Sequence, residues 1–317
     1  MSSILTNNSA MSALSTLRNI NTSLNSTQDR ISSGLKVSSG KDNAAYFAIS
    51  ETMKGDSGMT KAVNESLTLT KNSVATARLG AEQFSDLAME FRDKVAFAQE
   101  NKGGLDEIES DLTRLVADMA AILSQSTFNG DDLVNAGGKR TDGGAPAAAT
   151  ISATTGAITA ATSPTGSGAA APREVITGIS RNTAGTLQTT KITVAPVDLN
   201  AQREKFALIA TNFKTNASNA TTGDAFLAGV LTEADGATKA TVDAATSLGQ
   251  SEKSIERQQE FLTKLSDNLD SGVGAMVDAN MEEEAARLQA LQVQQQLASQ
   301  SLSIANQAPQ NILSLFR

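Results

Sequence analysis

Apolar residues in the first 35 positions recur with the spacing of a coiled-coil helix. Four of them lie seven residues apart, and a second track of small or apolar residues follows three positions after the first. The other positions are mostly Ser, Asn, Thr and Gln. We therefore predict one helix within 1–35, with a seam too weak to stabilise it alone. The two tracks are Ala10, Leu17, Leu24 and Ile31, and Ala13, Ile20 and Thr27.

The C-terminal stretch has a similar pattern, which predicts a helix over about 279–315. Pro309 lies inside this range and predicts a kink or an interruption, because proline has no backbone N–H to donate. The two tracks of this second seam are Met281, Leu288, Gln295 and Leu302, and Leu291, Ala298, Ala305 and Ile312.

Three more helices are predicted between these ends. The first covers roughly 60–101, after a break at Gly55 and Gly58, and the second covers roughly 105–127. The third begins near Ala237 and ends at a break over 271–274. The second has the most regular pattern in the chain, with alternating steps of three and four at Leu105, Ile108, Leu112, Leu115, Met119 and Ile122.

Residues 136–197 differ in character, because Gly, Ala, Thr, Ser and Pro dominate there. Short β-branched runs at 174–179 and 189–194 predict a small, mostly β module with long loops, or a partly flexible insert. Asp198 is expected to cap a following helix that carries Leu199, Phe206, Ile209 and Phe213.

The stretch from 28 to 50 predicts a short elbow between two helices. The first helix ends at Ser33 and Gly34, just after Arg30. The next begins at Asp42 and Asn43, whose side-chain oxygens can accept hydrogen bonds from the first N–H groups of a helix.

These elements define a mainly α fold with a small β insert. We expect both chain termini to pair in a nested antiparallel helical bundle or coiled coil, with a variable α+β domain in the middle. The predicted domains are 1–40 with 280–317, 41–137 with 237–279, and 138–236. A pair of helices this long leaves an apolar stripe exposed, and such a stripe indicates an assembly surface or an aggregation hazard.

Composition narrows the possible functions. The 317 residues include no cysteine and no histidine, which excludes disulfides and removes the commonest metal ligand and general base. The formal net charge of −8 disfavours nucleic acid as a partner. No apolar run is long enough to insert in a membrane, and the N-terminus lacks the features of a cleavable signal peptide. We expect no enzyme activity, no catalytic residue, no metal and no cofactor.

The few candidate sites each have a simpler interpretation. The acidic run Glu282, Glu283 and Glu284 complements the dipole at a helix N-terminus rather than forming a cation site. Asp131 and Asp132 lack the alternation of a calcium loop and are interpreted as part of a turn.

Both ends of the chain resemble bacterial flagellins. Near the N-terminus, Arg30 is followed by Ser-Ser-Gly-Leu, a polar spacer and Lys-Asp-Asn-Ala-Ala, and residues 124–130 resemble the family's Q-T-x-F-N-G turn. Residues 301–317, SLSIANQAPQNILSLFR, are similar to the family's closing sequence. Ala45, Tyr46 and Phe47 resemble the form found in an alphaproteobacterial branch.

The resemblance implies a structural subunit of the flagellar filament, the propeller of swimming cells. Its partners would be further copies of itself, an export chaperone, the filament cap and the hook–filament junction proteins. The terminal pair would form the inner tube, the next helices the outer tube, and 138–236 the surface. Export would use the flagellum's own type III apparatus, without a cleavable signal peptide, to the outside of the cell. Residues 1–35 and 285–317 are expected to be disordered in the monomer and to fold on assembly.

Two further expectations and one alternative follow from the resemblance. The helix over 84–101 departs from the family pattern at Arg92, Asp93 and Lys94, which predicts weak or no recognition by the innate flagellin receptor. The many Ser and Thr residues of 150–240 indicate possible O-glycosylation at unknown positions. The alternative is a hook–filament junction protein, which shares the terminal helices.

Overall fold

The computed structural model describes residues 7–128, 130–135, 150–159, 172–181 and 186–315. Side chains are described within these ranges except at 181 and 308–315. The chain divides into two compact units, one made of residues 1–58 with 265–317 and the other of residues 59–264. The three-domain division predicted from the sequence uses different boundaries and stays a prediction.

The first unit contains both terminal helices. Helix α1 spans Asn8–Ser33 and helix α7 spans Met281–Leu315, and the two pack against each other. The predicted pairing of the chain ends is therefore confirmed. Helix α7 is continuous through Pro309, so the predicted interruption does not occur.

Two long helices are continuous where the sequence predicts breaks. Helix α2 spans Ala44–Glu100 and runs through Gly55 and Gly58, and helix α6 spans Gly223–Val277 and runs through 271–274. The two predicted breaks are wrong, because an isolated glycine in a helix interior costs only about 1 kcal/mol. Tertiary contacts outweigh that cost: Ser57 donates to Asp270 at 2.7 Å, and Val273 is buried.

The second unit has a continuous apolar core, and the predicted apolar positions Leu105, Ile108, Leu112, Leu115 and Met119 are buried in it. The predicted helix over 105–127 is confirmed as α3, Leu105–Gln125, after a short 3₁₀ turn at Lys102–Gly104. Phe206 lies between two residues of α2, with its ring centre 6.4 Å from that of Phe84 and 4.8 Å from that of Phe91. Such spacing and the tilted ring planes are typical of stabilising aromatic pairs.

The middle of the chain contains the predicted small β structure. Strands β1 (Thr150–Ile151) and β2 (Ile158–Thr159) pair antiparallel, and strands β3 (Arg173–Arg181) and β4 (Leu187–Val194) form a longer antiparallel pair. The register of the longer pair shifts between Ile176 and Gly178. The two predicted β-branched runs fall within β3 and β4.

Two short helices follow this β structure. Asp198 caps α4, Leu199–Ala210, by accepting from the N–H of Ala201 at 2.9 Å, as predicted. Phe213 instead begins α5, Phe213–Ala217. Helix α6 begins at Gly223, fourteen residues before the predicted start near Ala237. None of the described helices has a stretch apolar and long enough to cross a membrane.

Candidate functional site

The terminal helix pair is antiparallel and carries hydrogen bonds along its length. At one end, the side-chain amide of Asn7 donates to the carbonyl of Ala305 at 2.8 Å. In the middle, Gln295 donates to the side-chain oxygen of Asn21 at 2.7 Å. These contacts join residues from opposite ends of the chain.

The predicted seam residues lie on the sides of α1 and α7 that are least exposed. On α1, Leu24 is buried, whereas Ala10, Leu17, Ile20 and Ile31 are half-buried. On α7, Leu288, Leu291 and Leu302 are half-buried. Ile312 belongs to α7, but its side chain is outside the described part. Thr27, also buried, was placed in the seam by its heptad position.

A second apolar stripe lies on α7, away from its seam. Val293, Leu297 and Ile304 are spaced so that they share one helical face. Their exposed fractions are 55%, 58% and 64%, so α1 does not cover them. On α1, Met11 and Leu14 are also exposed. The heptad pattern predicts an exposed stripe but does not assign these residues to it.

Backbone hydrogen bonds join the elbow to the connection between α6 and α7. Gly34 has φ of 73°, a left-handed conformation, and its N–H donates to the carbonyl of Arg30 at 2.8 Å. Its carbonyl accepts from Ala279 at 2.9 Å, and the N–H of Lys36 donates to the carbonyl of Val277 at 2.7 Å. A short antiparallel bridge thus ties the N-terminal and C-terminal segments together.

Asp42 organises the far side of the elbow. One of its carboxylate oxygens accepts from the backbone N–H groups of Ser38 and Ser39, at 3.1 and 3.0 Å, and from both hydroxyls. These hydrogen bonds, above all the one from the Ser38 N–H, hold the pKa of Asp42 below its ordinary value. Asn43 caps α2 by accepting from the N–H groups of Ala45 and Tyr46, both at 3.1 Å. Ser33 donates to the carbonyl of Asp29 at 2.8 Å.

A small apolar cluster lies beneath the elbow. Val37, Val273 and Val277 are buried there, with Phe47 and Met53 packed against them. The loop of the elbow is thus packed against both α2 and α6.

Glu284 has a role that the sequence analysis missed. Glu282 and Glu283 are exposed at the N-terminus of α7, as expected for charges that complement the helix dipole, but Glu284 is buried. Its Oε1 atom lies 3.3 Å from Nη1 of Arg30 and 3.5 Å from Nη1 of Arg287. Heptad position could have found it, because Glu284 lies four residues before Leu288 in the seam.

The described residues contain no cluster of three or more acidic side chains placed to hold a metal ion. An open cleft of about 310 Å³ lies at the elbow beside Arg30 and Asp42. The notable features of this region are therefore the helix pair, its exposed stripe and the elbow.

Comparison with known proteins identifies the class to which this arrangement belongs. The bacterial flagellin N-terminal helical region matches residues 4–139, and the bacterial flagellin C-terminal helical region matches residues 231–316. A flagellin of Brucella melitensis biotype 1 is 35% identical over 321 residues. Flagellin A of Rhizobium meliloti is 33% identical over 406 residues, and flagellin C of its strain 1021 is 35% identical over 327 residues. Each alignment covers 100% of both chains.

These matches define a structural subunit of an extracellular flagellar filament. The chain belongs to the bacterial flagellin family, and its similarity to the Brucella and Rhizobium proteins confirms the alphaproteobacterial resemblance.

Proposed function

We propose that the α1–α7 pair carries the self-assembly of this filament subunit, with the exposed face of α7 as a contact between copies. The observation that carries the proposal is the stripe formed by Val293, Leu297 and Ile304, each more than half exposed. When a neighbour covers apolar side chains on one face of a long helix, the contact is stabilised by about 25 cal/mol per Å² of apolar surface removed from water. In a homopolymer, that neighbour is a second copy.

We also propose that the terminal helices become stable only on assembly. Among the described side chains, only Leu24 and Thr27 are buried on α1, and only Glu284 is buried on α7. A pair with so little buried apolar surface does not offset the conformational entropy of ordering its residues.

Electron microscopy of the purified chain tests the first proposal. The chain is dissociated by heat, cooled with short filament seeds, and compared with a version trimmed of 1–35 and 285–317. We expect uniform filaments from the full chain and none from the trimmed one. Equal assembly of both would contradict the proposal, and a full chain that only capped or joined existing filaments would favour the hook–filament junction alternative.

Substitutions in the stripe test the contact itself. Leu297→Ser with Ile304→Ser is expected to raise the critical concentration for assembly at least tenfold, since about 1.4 kcal/mol corresponds to a factor of ten. Gln296→Ser, at an exposed polar position of α7, is the matched control and should assemble like the parent. An unchanged critical concentration in the stripe variant would show that this face is not a contact.

The three predicted domains receive roles in the same proposal. Residues 1–40 with 280–317 form the inner tube, 41–137 with 237–279 the outer tube, and 138–236 the filament surface. In support, the two family matches leave 140–230 uncovered, as expected of a variable region. A filament reconstruction by cryo-electron microscopy that placed 138–236 at the lumen would reject this assignment.

We further propose that the chain has no catalytic role and that its partners include an export chaperone, the filament cap and hook–filament junction proteins. Export through the flagellar type III apparatus, without cleavage of a signal peptide, is part of this proposal. Secretion that continued in cells lacking the export apparatus would contradict it.

We propose weak or no recognition by the innate flagellin receptor. Around Arg92, Asp93 and Lys94 the charged side chains are engaged: Arg92 pairs with Asp93 at 3.0 Å, and Lys94 pairs with Asp111 at 2.6 Å. Full activation of receptor-bearing reporter cells by purified monomer would overturn this.

O-glycosylation within 150–240 stays a proposal without assigned positions. Strand β4 exposes Thr189 and Thr190, which a transferase could reach. An intact mass of secreted filament protein equal to that of the bare chain would reject it.

A further inference from the structure

We propose that two polar layers in the α1–α7 seam fix the register of the pair and select α7 as the partner of α1. The first layer is Arg30 with Glu284, and the second is Asn21 with Gln295. This inference rests on the proposed role of the terminal pair in assembly.

The apolar part of the seam does not specify the register by itself. Because both helices repeat apolar or small residues every seven positions, a shift of one heptad still places such residues opposite each other. For example, Leu17 would exchange a position near Ala298 for one near Leu291. The heptad repeats therefore stay in phase after such a shift, so a slipped pair competes with the native pair.

The bridge between Gly34 and Ala279 holds the register at one end of the pair, and the polar layers remove the degeneracy along the rest of it. Asn21 is nine residues before Arg30 on α1, and Gln295 is eleven residues after Glu284 on α7, so both contacts fit one antiparallel register. A slip of one heptad displaces the partners by about 10 Å along the axis. Neither the Gln295 hydrogen bond nor the Arg30 ion pair survives that displacement.

Glu284 raises the free energy of a slipped helix pair relative to the native pair. Its side chain is 7% exposed, whereas that of Arg30 is 31% exposed. Its Oε2 atom has no hydrogen-bond partner among the described residues. A buried, incompletely satisfied carboxylate adds little net stability, but it becomes strongly unfavourable when its cation is removed. Such a residue therefore contributes to specificity more than to strength.

The same layers disfavour pairs of identical helices. In an α1–α1 pair, Arg30 loses Glu284 and Asn21 loses Gln295. Asp29, the acidic residue of α1, lies at the same end of the helix as Arg30, so an antiparallel α1–α1 pair keeps the two apart. In an α7–α7 pair, Glu284 loses Arg30 and retains only Arg287 of its own helix. This selection matters where many copies of both helices are concentrated together, as in a growing filament.

Disulfide trapping measures the register directly, because the chain has no cysteine of its own. The native reporter is Leu17→Cys with Ala298→Cys, and the slipped reporter is Leu17→Cys with Leu291→Cys. Assembled filaments are oxidised with copper phenanthroline, and intrachain cross-links are quantified on non-reducing gels. We expect the native reporter to exceed the slipped one at least tenfold, a preference that corresponds to about 1.4 kcal/mol.

The decisive variant makes both layers apolar: Arg30→Met, Glu284→Met, Asn21→Leu and Gln295→Leu. It is expected to form filaments, with the native-to-slipped ratio reduced at least about threefold from that of the parent, since only the heptads and the elbow bridge then oppose a slip. Filaments with the parent's ratio would overturn the proposal.

A second comparison decides the question if that variant does not assemble. Arg30→Met alone leaves Glu284 buried with only Arg287 of its own helix beside it, so we expect the critical concentration to rise about tenfold. Arg30→Met with Glu284→Met should return it to within about threefold of the parent, because the buried charge is gone. A double variant as impaired as Arg30→Met would show a stabilising ion pair rather than a register device, and would overturn the inference.

Failure of the proposed function looks different. It would appear as equal assembly of the trimmed and full chains, whereas failure of this inference leaves normal assembly by the parent and unchanged cross-link ratios.

Discussion

Asp42 shows how a single exposed carboxylate organises a loop of the elbow. It accepts from two backbone N–H groups and two hydroxyls of Ser38 and Ser39. Because the pKa of Asp42 is lowered from 3.8 in the folded chain, the folded state favours its ionised form. The stability from this group is therefore present above pH 3.8 and is lost as pH falls through the lowered native pKa.

Asp42→Asn is expected to lower the melting temperature of filaments at pH 7, since the amide accepts these hydrogen bonds less strongly. The difference from the parent should shrink as the pH approaches 3. Circular dichroism melting across this pH range measures both effects. Asp29→Asn, another exposed aspartate in the same unit, serves as the control; a constant difference at every pH would contradict the proposed role of the charge.

At Gly34, the backbone conformation rather than a lack of space limits which residues can replace the glycine. A Cβ atom at this position would meet nothing within 4 Å, and only φ of 73° restricts substitution. Gly34→Val should therefore destabilise the elbow by at least about 1–2 kcal/mol, and Gly34→Asn by less, because Asn tolerates the left-handed conformation. Filament melting temperatures test this order. Equal effects of Asn and Val would point to a steric cause instead.

At the scale of the elements, helix α2 approaches the end of α3 closely at Gly80 but has open space around Gly55, so the two glycines differ in the room they leave for a side chain. A Cβ atom on Gly80 would overlap the side chain of buried Ser126, whereas one on Gly55 would meet nothing within 4 Å. Both glycines lie inside α2, so the backbone benefit of alanine is common to both positions.

We expect Gly55→Ala to stabilise the protein by about 0.5–1 kcal/mol and Gly80→Ala to destabilise it by about 1–3 kcal/mol. Chemical denaturation followed by circular dichroism gives the free energy of unfolding of each variant. Gly80→Ala with Ser126→Gly should recover part of the loss, since the overlapping side chain is removed. A stabilising Gly80→Ala would show that the contact with Ser126 does not limit this position.

Helices were predictable from the sequence where a single periodic pattern of apolar residues defines the buried face. Leu105 to Ile122 in α3 and the two terminal tracks required no knowledge of distant contacts. The continuity of α2 through Gly55 and Gly58 depended on Ser57 meeting Asp270, a residue more than two hundred positions away. Local propensity could not reveal that contact, so both glycine breaks were placed wrongly.

The site was predictable to a similar extent. The seam and the elbow followed from heptad spacing and from capping residues, and the flagellin resemblance agreed with both. Glu284 was interpreted through its helix dipole alone, because its burial depends on Arg30 at the other end of the chain. Its position in the heptad was the one local signal available.

For the whole molecule, net charge bears on assembly. Each copy carries a formal charge of −8, so neighbouring copies repel one another at low ionic strength. We expect an increase from about 0.01 M to about 0.15 M NaCl, which shortens the screening length from about 30 to about 8 Å, to lower the critical concentration. Sedimentation of seeded filaments measures it, and sucrose of equal osmolality is the control. A higher critical concentration in salt would show that attractive ion pairs between copies dominate.

The bridge between Gly34 and Ala279, and between Lys36 and Val277, has a mechanical consequence. Two connections join the terminal helix pair to the rest of the chain, one between α1 and α2 and one between α6 and α7. These hydrogen bonds link the two connections to each other. Tension on the helix pair is therefore divided between two covalent connections in parallel. The hydrogen bonds between them transfer force from one connection to the other. An uneven pull on one of the two connections is therefore carried in part by the other.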